Sequence, residues 1–127
     1  MNMRRITILA AGMALALAAC GGGSADTTSP GPAGPGDIAA GADVYKGTCA
    51  ACHSKDLSGI SGLGSPLAPS DFVSQATEVE LADFIAEGRE SGDPENTTGI
   101  AMPAKGGNSS LNNQDLRDLA AYLKSEN

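Results

Sequence analysis

Aromatic side chains are scarce in this sequence: it has no Trp, and two Tyr and two Phe supply every six-membered carbon ring in 127 residues. So few large apolar side chains exclude a multidomain enzyme and a deep substrate cavity walled by the chain's own residues. Basic residues are also few, eight against 15 acidic ones, for a net charge of −7. A nucleic-acid partner is thereby excluded, because phosphate binding needs a basic face. After residue 19 no apolar run is long enough to span a bilayer as a helix. The three cysteines are an odd number, so a closed disulfide framework cannot account for all of them. Three options remain: a small domain with a loose surface, a partly disordered chain, or a domain whose core is completed by something other than protein.

The chain begins with an address. Arg4 and Arg5 precede an apolar run from Ile6 to Ala19, which ends in Leu17-Ala18-Ala19-Cys20 and then Gly21-Gly22-Gly23-Ser24. A basic start, a short apolar stretch and small residues before a cut predict a secretory signal over residues 1–19. The Leu-Ala-Ala-Cys ending resembles a bacterial lipobox. That resemblance implies that Cys20 is acylated on its thiol and becomes the first residue of the mature chain; an ordinary signal peptide with a chance cysteine is the plainer alternative. Two or three acyl chains would give stable membrane anchoring where one would not. Loss of Arg4 and Arg5 with the leader would leave six basic and 15 acidic residues, a charge of −9.

Residues 21–36 contain six Gly, three Pro and no large apolar side chain. They cannot bury enough surface to offset their ordering entropy, so residues 20–36 are expected to form a lipid-anchored flexible tether. The folded domain is expected over residues 37–127.

Helical periodicity recurs three times in that domain, and no alternating apolar pattern is long enough for a sheet. The first helix is expected over Asp37 to Cys49, with Ile38, Gly41, Val44, Tyr45 and Thr48 on one face. Gly41 costs a helix about 1 kcal/mol relative to Ala, which points to close contact with another element. Thr77-Glu78-Val79-Glu80 forms a capping box for a second helix, with Leu81, Phe84 and Ile85 as its apolar stripe and Gly88 at its end. Asn112 and Asp115 begin a third, whose stripe is Leu116, Leu119, Ala120 and Leu123. The fold class is therefore all-α, with three to four helices joined by long Gly/Pro/Ser-rich loops.

The chemistry lies at Cys49-Ala50-Ala51-Cys52-His53. Two thiols three apart with a histidine directly after them match the c-type haem attachment sequence. Each thiol adds to one vinyl group at the haem edge, and the turn between them places the next side chain over the iron. Imidazole is a good iron ligand, and His53 is the only histidine present. A thioredoxin-like dithiol would be expected beside a strand, a zinc site would need a second ligand pair, and a plain disulfide leaves His53 without a role. Export and the thin core favour haem over all three.

Residues 38–125 resemble the class I monohaem cytochromes c of the small bacterial type. Beyond Cys49, Cys52 and His53, the resemblance rests on several segments. Gly41 and Tyr45 match the N-terminal helix, Leu81 to Arg89 the middle helix, Met102-Pro103 the distal-ligand loop, and Leu116 to Leu123 with Tyr122 the C-terminal helix. It implies a cytochrome c fold wrapped around one covalent haem c, with Gly41 and Tyr122 at the crossing of the terminal helices. It further implies Met102 as the second axial ligand. Met102 is the one methionine after the leader, and it lies in a polar, Gly-rich loop where core packing would not call for it. The family often has a proline whose carbonyl accepts the histidine ring N–H. Pro66 is expected in that role, with Ser65 in place of the usual glycine and Pro69 as a competitor.

Together these features predict a one-electron carrier and not an enzyme. It would shuttle electrons between redox proteins at a bacterial membrane, facing the periplasm or the exterior. A haem sensor or peroxidase-like enzyme with a dissociable Met102 is the alternative. Glu87, Glu90, Asp93 and Glu95 form a dense acidic run. They are expected either as a solvated face or as a surface that steers toward a basic patch on a redox partner.

Overall fold

The computed structural model describes residues 34–127. The expected leader, Cys20 and most of the expected tether lie outside the described residues. Within them the protein is helical, with no strand and two isolated β-bridges, Ile60 to Gly64 and Arg89 to Met102. The helices are α1 (Ile38–Val44), α2 (Ala50–His53), α3 (Asp71–Gln75), α4 (Glu78–Glu87) and α5 (Asn113–Ser125). The all-α expectation is met. None of these helices is long and apolar enough to cross a membrane.

Both predicted capping boxes form. Thr77 accepts from the Glu80 N–H while the Glu80 carboxylate accepts from the Thr77 N–H, and Asn112 and Asp115 repeat the exchange at α5. The apolar stripes then meet. Leu81 and Ile85 of α4 and Leu116, Leu119, Ala120 and Leu123 of α5 are buried in one cluster with Tyr45, Val73 and Leu111.

α1 crosses α5 at Gly41. A side chain at Gly41 would run into the Asp118 carbonyl and lie 2.8 Å from Tyr122 Cβ. Tyr45, 1% exposed, lies on Tyr122 with ring centroids 5.5 Å apart. Ile38 departs from the expected buried face and is 52% exposed. The single regular helix expected over Asp37 to Cys49 also gives way: Tyr45–Cys49 is a π-helical turn, closed by the Ala50 N–H donating to the Tyr45 carbonyl. Such wide turns occur at functional sites, and this one leads directly into the haem attachment sequence.

The fold takes in the last residues of the expected tether. Gln114 accepts from the Gly34 N–H (2.6 Å) and donates to the Pro35 carbonyl (3.1 Å) and the Asp118 carboxylate (2.7 Å). The buried Asp118 carboxylate in turn accepts from the Asp37 N–H at 2.8 Å. A side chain at Gly36 would collide with the Arg117 carbonyl. At about 100° per residue, Gln114, Arg117 and Ala121 lie on the face of α5 opposite Leu119 and Leu123. Leu119 and Leu123 face the cavity described next, so the chain enters the domain from behind that cavity.

α3 was not anticipated. Ser70 caps it by accepting from the Val73 N–H at 3.3 Å, and Lys124 of α5 donates to its terminal carbonyls at Val73, Ser74 and Ala76.

Candidate haem site

A cavity of about 310 Å³ opens between α5, α4 and the long loops. Apolar groups of Leu67, Val73, Leu81, Ile85, Leu119 and Leu123 form its floor. Cys49, Cys52, His53, Pro66 and Met102, all expected at the site from sequence, line this same cavity. Cys20 lies outside the described residues.

Cys49 is half-buried and Cys52 exposed, and they form no disulfide with each other. Burial, with the Cys52 sulfur nearby, pushes the Cys49 thiol up to about 11. His53 ends α2, and its Nδ1–H donates to the Ser65 carbonyl at 2.8 Å. That bond sets the tautomer and leaves Nε2 as the nitrogen available to a metal. Pro66 therefore does not supply the acceptor expected of it. The Leu67 N–H is held by the Leu57 carbonyl at 2.8 Å, which anchors the loop so that the acceptor is the carbonyl one residue before the proline. Pro66 remains a wall of the cavity.

The turn after His53 is held by Tyr45, whose hydroxyl donates to the Ser54 carbonyl, with the His53 carbonyl at 3.2 Å. Ser54 has φ of 67° and ψ of 157°, a region few non-glycine residues enter. Burial, followed by the nearby Cys49, raises the Tyr45 hydroxyl to about 12, so it remains a donor at any physiological pH.

Met102 is placed by the end of α4. Arg89 N–H donates to the Met102 carbonyl and Met102 N–H to the Arg89 carbonyl, both at 2.8 Å. Gly88, with φ of 78°, lets the Met102 carbonyl pass where any side chain would collide with it. Beyond Met102, Asn108 Nδ2 donates to Thr48 Oγ1 at 3.1 Å, tying the loop to the π-helical turn.

Sequence reasoning missed three contributors: Ser65, Phe72 and Arg89. Arg89 lines the cavity with its guanidinium 4.8 Å from the Phe84 ring centroid and 5.3 Å from that of Phe72. The available signal was that Arg89 is the one basic residue between Lys55 and Lys105, set within the acidic run. That run is partly structural: Glu95 pairs with Arg89 at 3.0 Å, and Asp93 accepts from the Glu95 N–H at 2.7 Å.

Two thiols, an imidazole with one free nitrogen and a thioether, gathered around an apolar cavity, fit a covalently held haem iron. Comparison with known proteins agrees. Residues 36–123 match the family described as "Cytochrome C oxidase, cbb3-type, subunit III", and the chain belongs to this family of c-type cytochromes. It is 33% identical to a cytochrome c-555 of Prosthecochloris aestuarii over 92 residues, 71% of this chain and 88% of that protein. A cytochrome c-555 of Chlorobaculum thiosulfatiphilum is 31% identical over 87 residues, 68% of this chain and 93% of its own length. The cytochrome c subunit of a quinone alcohol dehydrogenase from Gluconobacter oxydans is 31% identical over 85 residues, 67% of this chain but 18% of that subunit. No solved structure gives a significant match. The protein is thus an all-α cytochrome c that carries covalent haem c and transfers electrons to and from redox partner proteins.

Proposed function

We propose that this cytochrome is a one-electron shuttle at a bacterial membrane surface, exported by residues 1–19 and held there by lipid on Cys20. A single haem is attached through Cys49 and Cys52, with His53 Nε2 and Met102 Sδ as axial ligands. The observation that carries this reading is the commitment of His53 Nδ1 to Ser65 in a cavity that Met102 also lines. The haem supplies the redox chemistry; the chain supplies ligands, burial and orientation. Thioether opposite imidazole favours the ferrous state and raises the potential, and two filled axial positions suit electron transfer better than catalysis. The acidic loop residues favour a partner with a basic docking face. Entry of the chain from behind the cavity leaves the haem side free for such a partner, while the anchor raises its effective concentration at the membrane.

Visible spectra of the exported protein, with and without carbon monoxide, test the ligand set. Low-spin bands, a weak ferric sulfur-to-iron band and only a slow carbon monoxide shift are expected, and Met102→Ala should lose the sulfur band and bind carbon monoxide at once. High-spin bands in the wild type would instead indicate an open iron, as in a haem sensor or peroxidase-like enzyme. For the anchor, Cys20→Ala should release the protein from the membrane fraction and abolish incorporation of labelled fatty acid. Membrane retention of that variant would refute the lipid reading.

A further inference from the structure

Residues 90–101, between the two partners of the Arg89–Met102 backbone pair, belong neither to the ligand set nor to the helical core. An antiparallel pair can be closed by as few as about two residues, so most of this segment is surplus to the turn. The surplus lies against the cavity, which Glu95, Asn96, Thr97, Thr98, Ile100 and Ala101 line.

The segment has a defined internal structure. Asn96 Nδ2 donates to the carbonyls of Glu90 (2.9 Å) and Ile100 (2.8 Å), and its Oδ1 accepts from the N–H groups of Thr98 (3.1 Å) and Gly99 (2.9 Å). Arg89 grips the middle: one guanidinium nitrogen donates to the Glu95 carbonyl and the other to the Glu95 carboxylate, both at 3.0 Å. An exposed ion pair contributes little by itself. Here the Arg89 side chain is only 19% exposed and is packed over Phe72 and Phe84, so its planar fork is already oriented when it meets Glu95. On the other side, Thr97 Oγ1 lies 3.3 Å from Ser65 Oγ. Ser65 is also the residue whose carbonyl holds His53. A connection therefore runs from Met102 through its backbone pair with Arg89 and the Arg89–Glu95 grip, along the chain from Glu95 to Thr97, and on to Ser65 and His53, joining the two candidate ligands around one side of the cavity.

Building on the His53/Met102 reading, we propose that Arg89 is a positioning residue that holds residues 90–101 as a strap across the haem cavity. The strap keeps Met102 on the iron and small diatomic ligands away from it. Arg89 acts on Met102 through the paired backbone and on the strap through its guanidinium. Losing either grip frees the segment that ends at Met102.

The test is the rate of carbon monoxide binding to ferrous holoprotein, read beside the ferric sulfur-to-iron band. Arg89→Gln and Arg89→Lys should each speed carbon monoxide binding about tenfold, the scale of one lost charge-assisted hydrogen bond. Lysine keeps the charge but cannot make the two-pronged contact, so wild-type behaviour in Arg89→Lys would overturn the strap in favour of a pure charge effect. Glu95→Gln and Thr97→Val leave the Arg89 backbone untouched and should each give a smaller acceleration. They decide the matter if the Arg89 variants fail to take up haem. Unchanged rates in both would overturn the proposal. Absence of the sulfur-to-iron band in the wild type would overturn Met102 ligation itself, a separate failure read by a separate signal.

Discussion

Arg89 and Met102 bond to each other twice through the backbone, N–H to carbonyl in both directions at 2.8 Å. The pair converts the end of α4 into the support for a thioether. It also explains why glycine stands at position 88, where the chain must turn with positive φ directly beneath the Met102 carbonyl.

Gly88→Ala should damage the site as well as the helix end. Forcing a side chain into this backbone region costs about 1–3 kcal/mol, and here the Cβ also meets the Met102 carbonyl. A lower unfolding midpoint and a weakened sulfur-to-iron band are expected together, measured by denaturant titration and ferric spectra. A variant that lost stability alone would show that Met102 is placed by other contacts.

Gly41→Ala should destabilise the holoprotein by about 1–3 kcal/mol, the range for overpacking, because the obstructing atoms belong to the Asp118 backbone and cannot rotate aside. Gly47→Ala, six residues later with open space around it, is the control and should be neutral or slightly stabilising. Thermal unfolding of the two variants checks the contrast.

Acid should loosen the turn after the haem attachment sequence. Asp56 accepts from the hydroxyls of Ser58 and Ser54 and from the Ser58 N–H, which lowers its carboxyl from 3.8 to about 2. A carboxyl lowered in the folded state contributes stability above its unfolded value. That contribution disappears as pH falls from near 3.8 toward 2. Asp56→Asn should flatten the acid limb of the stability curve in this window and lower stability at neutral pH without changing its slope there.

Without haem the chain should lose most of its fold. Leu81, Ile85, Leu119 and Leu123 line the cavity, so loss of the macrocycle takes away the apolar surface that this side of the core packs against. Exported Cys49→Ala/Cys52→Ala protein lacking haem should show far less helix by circular dichroism than the holoprotein. Native-like helix content would refute this.

The readable parts of the sequence were those with local signals. The capping boxes at Thr77 and Asn112 act within three residues and form as their spacing demands. Gly41 stood out because glycine is costly in a helix, and its reason is the α5 backbone. The five-residue α3 was too short for periodicity to reveal, and it depends on Lys124, about fifty residues away, to cap its end. Pro66 drew attention as a residue type, but the acceptor is the Ser65 carbonyl, and every residue has a carbonyl.

The sequence by itself determined the helical class, the two thiols and the histidine, because covalent chemistry and helix capping depend on neighbours along the chain. Only the tertiary structure decided which carbonyl holds His53, that Gly34 to Gly36 join the fold, and that Arg89 grips a strap beside Met102. Those relationships join residues distant in the chain through backbone groups and rotamers. Such groups carry no residue-specific mark until packing brings them together.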